Sequence, residues 1–427
     1  MLFALFFGAG NLIFPVLMGQ MSGTNVWTAT AGFIVTGVGL PLLGVLAIGF
    51  SGKSDLYTMA SRVHPMFGLI FTTVLYLAIG PLFAIPRTGS VSYEVGIKPL
   101  LGETNSMWPL LIFTVLFFLV TCIFSLKPGK IVDIVGKVLT PILLIFIAVL
   151  IGTAIFNPMG DFTAPNEKYA DLSFVKGFQE GYLTMDTLAS FVFGIIVINA
   201  VKERGAKTKS QILSSCFKSA IIAAALLALI YGGLAYLGAA SVKEVGLLEN
   251  GGAILAASSS HYFGSYGSLV LGLIVLGACL TTSIGLVTAC ATYFNKLMPN
   301  VSYKTMVIVL SVFSTIFANV GLSNLIAISV PVLTAIYPLA ICLIILTFLH
   351  HFFHGRPAVY IASLALTFFV SLFDGLNAAG LQVEAVNNML SVLPLYEMGL
   401  GWVVPAIAGA VLGYIFTFIS KEVAVTE

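Results

Sequence analysis

The sequence predicts an all-α integral membrane protein of about 12 transmembrane helices, and three observations carry that expectation. Charge is scarce: 427 residues include only 19 basic and 17 acidic side chains, 8% of the chain, against roughly a quarter in a soluble domain. Apolar residues reach 59% and the mean hydropathy is +1.07, so too few polar groups exist to build a water-facing skin. The apolar residues fall in continuous runs of about 20, long enough to cross hydrocarbon as helices, whereas barrel strands would alternate apolar with polar over about ten residues. These properties exclude a soluble enzyme, a secreted disulfide scaffold and a disordered chain, and a net charge of +2 indicates no nucleic-acid partner. Cys122, Cys216, Cys279, Cys290 and Cys342 lie singly in apolar stretches and read as packing residues, with no metal or disulfide spacing.

In order, the expected spans are 1–21, 25–50, 66–86, 107–125, 134–156, 182–201, 215–239, 267–295, 303–320, 323–349, 357–373 and 399–419. An even number of spans leaves both termini on one side. Lys53, Arg62, Lys127, Lys130, Lys137, Lys202, Arg204, Lys207, Lys209, Lys218, Lys296, Lys304, Arg356 and Lys421 fall on that side. Arg87, Lys98, Lys168, Lys176 and Lys243 fall opposite. The positive-inside rule therefore makes both termini cytoplasmic. No basic leader followed by a cleavage site opens the chain, so the first stretch reads as a true span and not a signal peptide. Met1 to Phe7 supply only about 10 Å of helix before a Gly-Ala-Gly break, so a short cytoplasmic lead is expected upstream.

Irregular backbone survives in hydrocarbon only where it lines a site, so interrupted spans point to function. Span one reads LFALFFGAGNLIFPVLMGQ: Gly8 and Gly10 are poor helix formers, and Pro15 cannot donate to the carbonyl of Asn11. Carbonyls before such a gap suit a cation, N–H groups after it suit a carboxylate, and Asn11 adds a side-chain oxygen. Span six opens GYLTMDTLASFVFG, where Asp186 is the only carboxylate placed well within an apolar span, surrounded by Thr184, Thr187 and Ser190. The competing reading makes Asp186 an N-cap near the outer interface. Spans one and six head two sets of five. Because five is odd, the second set enters from the other face, the arithmetic of an inverted repeat. A single transporter domain over 1–427 follows, with repeats at 1–156 and 182–349 and two additional helices in 357–419. In span eight, Thr281, Thr282 and Ser283 either bond the carbonyl a turn back or, with Ala278 or Cys279, complete an oxygen cage for a hard cation. His350, His351 and His354 fit an interfacial belt better than a transition-metal site.

GAGNLIFP (8–15), GPLFAIPRT (80–88), GYLTMD (181–186), ACLTT (278–282) and SVPVLTAIYP (329–338) resemble the bacterial branched-chain amino acid:cation symporters of the BrnQ type, in order along essentially the whole chain. The resemblance implies a leucine-transporter-like fold of ten core helices in two inverted fives plus two more. It implies uptake of leucine, isoleucine and valine driven by sodium or protons, with no organic cofactor and no obligate protein partner beyond the lipid bilayer of the bacterial cytoplasmic membrane. Carried onto this chain, Gly8, Ala9 and Gly10 would offer N–H groups to the substrate carboxylate. Asn11 would ligate a sodium ion, and Ala4 and Phe7 would lend carbonyls to a second one opposite Thr281, Thr282 or Ser283. Ser190 to Gly194 would form the unwound segment of span six, with Asp186 keeping proton coupling open. A zwitterion's charges could be met by backbone dipoles and a cation without a buried arginine, and Phe191, Val192 and Phe193 would line an apolar side-chain pocket. A methylene more or less there is worth only about 1–3 kcal/mol, so three branched side chains could share one site. An intramembrane protease would need Ser–His, HExxH or paired aspartates within spans, and a channel would need symmetric filters; neither is present. The remaining alternative is a carrier of the same fold for another small apolar amino acid or related solute.

Overall fold

The computed structural model describes residues 2–53, 55–101, 106–126 and 130–419, the side chains of 130–139 excepted, and among them every apolar stretch is helical and no strand occurs. Lys127 and Lys421, counted above for topology, and Met1 lie outside the described residues, as do the side chains of Lys130 and Lys137. Span one is Leu2–Phe6 followed, after a break at Phe7 and Gly8, by Ala9–Ser22. Span two joins Val26–Ile34 to Leu40–Ser51 through a π turn, Val35–Gly39. Span three is Pro65–Leu77, a π turn at Ala78–Leu82, and Ala84–Gly96. Spans four and five are Trp108–Leu126 and Lys130–Phe156. Span six is Ser173–Glu180, a 3-10 turn Gly181–Thr184, and Asp186–Glu203, bent by 47° at Met185. Spans seven and nine to twelve are Lys209–Val245, Tyr303–Ala318, Leu322–Leu349, Pro357–Ala378 and Val403–Ile419. Span eight belongs to Gly251–Leu297, which breaks at Gly264 (φ +65°, ψ −164°), and the expected span 267–295 follows that break.

Two further expected boundaries are corrected. Span three does not end at Pro86. The helix breaks six residues earlier, where Gly80 leaves helical geometry (φ −98°, ψ −125°), and restarts at Ala84. Pro86 then stands in the first turn of the new helix, where its missing N–H breaks no bond. The residues after it, Arg87 included, continue into the protein instead of an outer loop. Pro81 leaves a carbonyl unserved at the break, and the Cys290 thiol lies 3.6 Å from the Tyr76 carbonyl oxygen, against a Gly80 that leaves room for it. Span six starts at Ser173, nine residues before the expected start, because Ser173–Glu180 carries Lys176 and Glu180 and does not read as apolar. Asp186 therefore lies at the centre of the span and not at its outer end.

Bare backbones set the packing of spans one, two, six and seven. A Cβ built on Gly19 of span one would lie 2.0 Å from the Ala235 carbonyl oxygen of span seven, and one on Gly238 the same distance from that of Val16. The pair of spans two and six repeats this: Gly32 would strike the Phe174 carbonyl at 1.9 Å, and Gly177 that of Ala29 at 1.8 Å. Without a hydrophobic drive between helices in lipid, such close approach maximises dispersion contact. Exchanging spans one to five with six to ten converts one interface into the other. The same exchange turns five on eight into ten on three, and four on eight into nine on three. Spans three and eight cross on the Gly96–Gly272 contact, which maps onto itself. Span eleven packs on both ten and twelve, with Gly409 and Gly413 of span twelve against Ala362 and Ala358. Outward faces stay apolar, for example Leu116, Ile316 and Leu412, as a lipid solvent requires.

Candidate functional site

Both helix breaks open into one small cavity of about 50 Å³. Gly8 to Asn11 form one wall, Thr184, Met185 and Asp186 another, Arg87 and Thr88 a third, and Phe6, Ile79, Ala189, Phe193 and Leu286 supply apolar surface. The first break is built by Gly8, extended at φ −127° and ψ −165°, whose N–H donates to the Asn11 side-chain oxygen at 3.0 Å. The N–H groups of the first turn of Ala9–Ser22 and the last carbonyls of Leu2–Phe6 have no partner within their own helices. They present a positive and a negative pole to the same space. The second break is set by Met185, held in the left-handed region (φ +63°), a conformation that costs a non-glycine residue of order 1 kcal/mol or more. The Asp186 N–H donates to the Thr184 hydroxyl at 3.3 Å and starts the second half-helix.

A buried polar cluster ties the two breaks to span seven. The Asn11 amide nitrogen donates to the Asp186 carboxylate and contacts the Tyr231 hydroxyl, which itself donates to Asp186 Oδ2 at 3.3 Å. Asn11 is 2% exposed, Asp186 4% and Tyr231 0%, so each bond works in low dielectric and each loss leaves an orphaned group. Tyr231 was missed in the sequence. The available signal was a tyrosine in the middle of an apolar span, LALIYGG, since a buried phenol needs a partner for its hydroxyl. Tyr231→Phe is expected to weaken transport about 5- to 10-fold, one lost hydrogen bond of about 1 kcal/mol, measured as a rise in the KM for leucine.

The structure separates the other residues expected at the site. Gly8, Ala9, Gly10, Asn11, Asp186, Phe193 and Thr282 line the cavity. Ser190 does not: its hydroxyl donates to the Thr187 carbonyl at 2.6 Å and packs on Gly44 of span two. Phe191 is fully buried outside the lining, and Ser190 to Gly194 form regular helix, because the unwinding falls at Met185 instead. Thr281 and Thr282 both donate to the Ala278 carbonyl, at 2.9 and 3.0 Å, and the Thr282 methyl faces Gly8. Ser283, one helical step on, points to span four, where the Thr121 hydroxyl lies 3.4 Å away. Ala4 is exposed, and Phe7 stacks on Phe3 at 5.0 Å. His350 bonds the Tyr360 hydroxyl at 2.9 Å.

Arg87, read from the sequence as a loop residue after span three, is buried at the site instead. It is 1% exposed, lines the cavity, donates to the Leu183 carbonyl at 2.6 Å and lies 4.8 Å over the Phe14 ring.

Two discontinuous helices meeting at a buried polar cavity inside an all-helical apolar bundle define a polytopic membrane carrier. The fold agrees with two solved structures. Mhp1 in its inward-facing conformation is similar at TM-score 0.62 and 15% identity, with 98% of this chain and 90% of Mhp1 covered. MhsT in complex with L-phenylalanine is similar at 0.58 and 16%, with 99% and 97% covered. In sequence, the chain is 59% identical to the branched-chain amino acid permease BrnQ of Bacillus subtilis, over 98% of this chain and 95% of that one. It is 44% identical to the branched-chain amino acid transport system 2 carrier protein of Pseudomonas aeruginosa, over 97% and 94%. The family model for branched-chain amino acid transport proteins matches residues 1–420. The chain belongs to this family. It is a transporter and not an enzyme.

Proposed function

We propose that this chain carries leucine, isoleucine and valine into a bacterial cell by symport with sodium or a proton, through alternating access around the cavity between the two helix breaks. The names of its relatives supply the substrate class. The observation that carries the reading is the Asn11–Asp186–Tyr231 cluster, a carboxylate anchored by uncharged donors where two half-helices end. A buried carboxylate held by uncharged donors has no counter-ion in contact, so a mobile cation, whether a metal ion, a proton or the substrate's ammonium, can pair with it. Phe6, Phe193, Ile79 and Leu286 give an apolar wall for a branched side chain. A hard cation at the first break would draw on the carbonyls that end Leu2–Phe6, since Thr282 turns its methyl to Gly8 and its hydroxyl to the Ala278 carbonyl. The excess of basic residues on one set of loops supports cytoplasmic termini in a cytoplasmic membrane.

A cation moving inward with the substrate adds about 2.3 kcal/mol per charge per 100 mV, enough to concentrate an amino acid. Purified protein in liposomes is expected to accumulate labelled leucine under an inward sodium or proton gradient, with isoleucine and valine competing. Uptake that only equilibrates under both gradients rejects symport, and competition by none of the three rejects the substrate class.

A further inference from the structure

Arg87 is the largest side chain among those less than 2% exposed, and it sits at the level of both helix breaks. A guanidinium offers five N–H donors. One nitrogen donates to the Leu183 carbonyl at 2.6 Å, another reaches the Ser329 hydroxyl at 3.4 Å, and Nε has no partner. Among the described residues no carboxylate forms an ion pair with it. The Leu183 bond caps the C-terminal end of the first half of span six, and a neutral amide could make that bond. A buried cation with only neutral acceptors is a costly way to cap a helix. The Asp186 carboxylate acts on it electrostatically without ion-pair contact, so what it lacks is an anion in contact. The cavity it lines also receives the positive end of Ala9–Ser22, so two positive features share one space. Asp186, the buried acid of that cavity, is instead engaged by Asn11 and Tyr231. Gly10 fits the same account: a Cβ there would lie 3.4 Å from a guanidinium nitrogen and 3.3 Å from the Phe14 ring, crowding the arginine.

We propose that Arg87 is the carboxylate-recognition residue of this carrier, pairing its guanidinium with the α-carboxylate of the bound amino acid while Asp186 faces the α-ammonium. The assignment rests on the amino acid transport reading above and sharpens its ligand class. The substrate must carry a free carboxylate; the corresponding amides, esters and amines are rejected. A planar guanidinium suits a carboxylate better than a point charge does, because two parallel N–H bonds can form.

The test is equilibrium binding of L-leucine and L-leucinamide, which keeps the ammonium and the side chain but not the carboxylate, to the purified full chain. Wild type is expected to prefer leucine by on the order of 100-fold or more, since the amide leaves a buried charge unpaired. Arg87→Gln is expected to collapse that preference to about threefold or less through weaker leucine binding alone, and Arg87→Lys to give an intermediate preference. Equal binding of both ligands by wild type overturns the assignment without any variant. So does a preference that survives in Arg87→Gln, or an equal weakening of both ligands, which is the mark of a cap on Leu183 and nothing more. Should Arg87→Gln fail to fold, the wild-type preference and the Arg87→Lys variant decide the matter. Leucine binding without discrimination rejects Arg87 alone, whereas no leucine binding at all rejects the transport reading with it.

Discussion

Asp186→Asn is expected to lower gradient-driven leucine uptake by two to three orders of magnitude while the protein stays folded. The substitution keeps the shape of the side chain and an oxygen for the Asn11 amide and the Tyr231 hydroxyl, so the cluster's packing survives. What disappears is the negative charge that a moving cation or ammonium meets at 4% exposure. Removing one partner from a buried charge pair costs about 3–5 kcal/mol, and each 1.4 kcal/mol is tenfold. Uptake under sodium and under proton gradients should be measured beside exchange of internal for external leucine. Loss of proton-driven uptake with exchange retained assigns the carboxylate to the proton. Loss of both assigns it to the substrate or a metal cation. Uptake at the wild-type rate with an unaltered pH profile refutes any coupling role. Asp186→Ala adds a second cost, since it leaves the Asn11 and Tyr231 donors unpaired at about 1–3 kcal/mol each.

The other large effect is structural. Gly19→Val and Gly238→Ala are expected to abolish transport and to lower the melting temperature, because their Cβ atoms would stand 2.0 Å from a backbone oxygen of the facing helix. Backbone cannot rotate aside as a side chain can, so spans one and seven must separate, at a cost of several kcal/mol. That movement carries Asn11 away from Tyr231 and dismantles the site from a distance. Gly232→Ala is the control. It lies on the same helix as Gly238, its Cβ would meet nothing within 4 Å, and alanine there should be neutral or stabilise by about 0.5–1 kcal/mol. A Gly238→Ala protein with wild-type melting and uptake would show that the interface yields more easily than its geometry suggests. The symmetric pair makes the same claim for spans two and six, where Gly177→Ala should be as damaging as Gly238→Ala.

Much of this was legible in the residues, for physical reasons that can be named. Scarcity of charge announced the bilayer because a membrane solvent penalises charge wherever it falls. The GAGN break was readable because glycine fails locally as a helix former, and the cavity forms at that break. Asp186 was readable as a lone carboxylate in apolar surroundings, although its place at the centre of span six was not. The half-helix before it is amphipathic and packs on span two through the bare backbone of Gly177, a contact that hydropathy along one chain does not register.

Arg87 marks the boundary between the two kinds of knowledge. Next to Pro86 it reads as the first residue of a loop, and only the restart of the helix at Ala84 carries it inward. Tyr231 lies 220 residues from Asn11 in the chain, so its meeting with Asn11 and Asp186 depends on spans one, six and seven closing over bare glycine backbones. Ser190, Ser283 and Thr282 differ in the same way: a helix turns each residue by about 100°, so adjacent hydroxyls face different neighbours. Composition and local helix-breaking chemistry settled the solvent, the helical class and the break in span one, because those are properties of short segments. The partners of the buried charges are properties of pairs distant in sequence, and tertiary packing alone chose them.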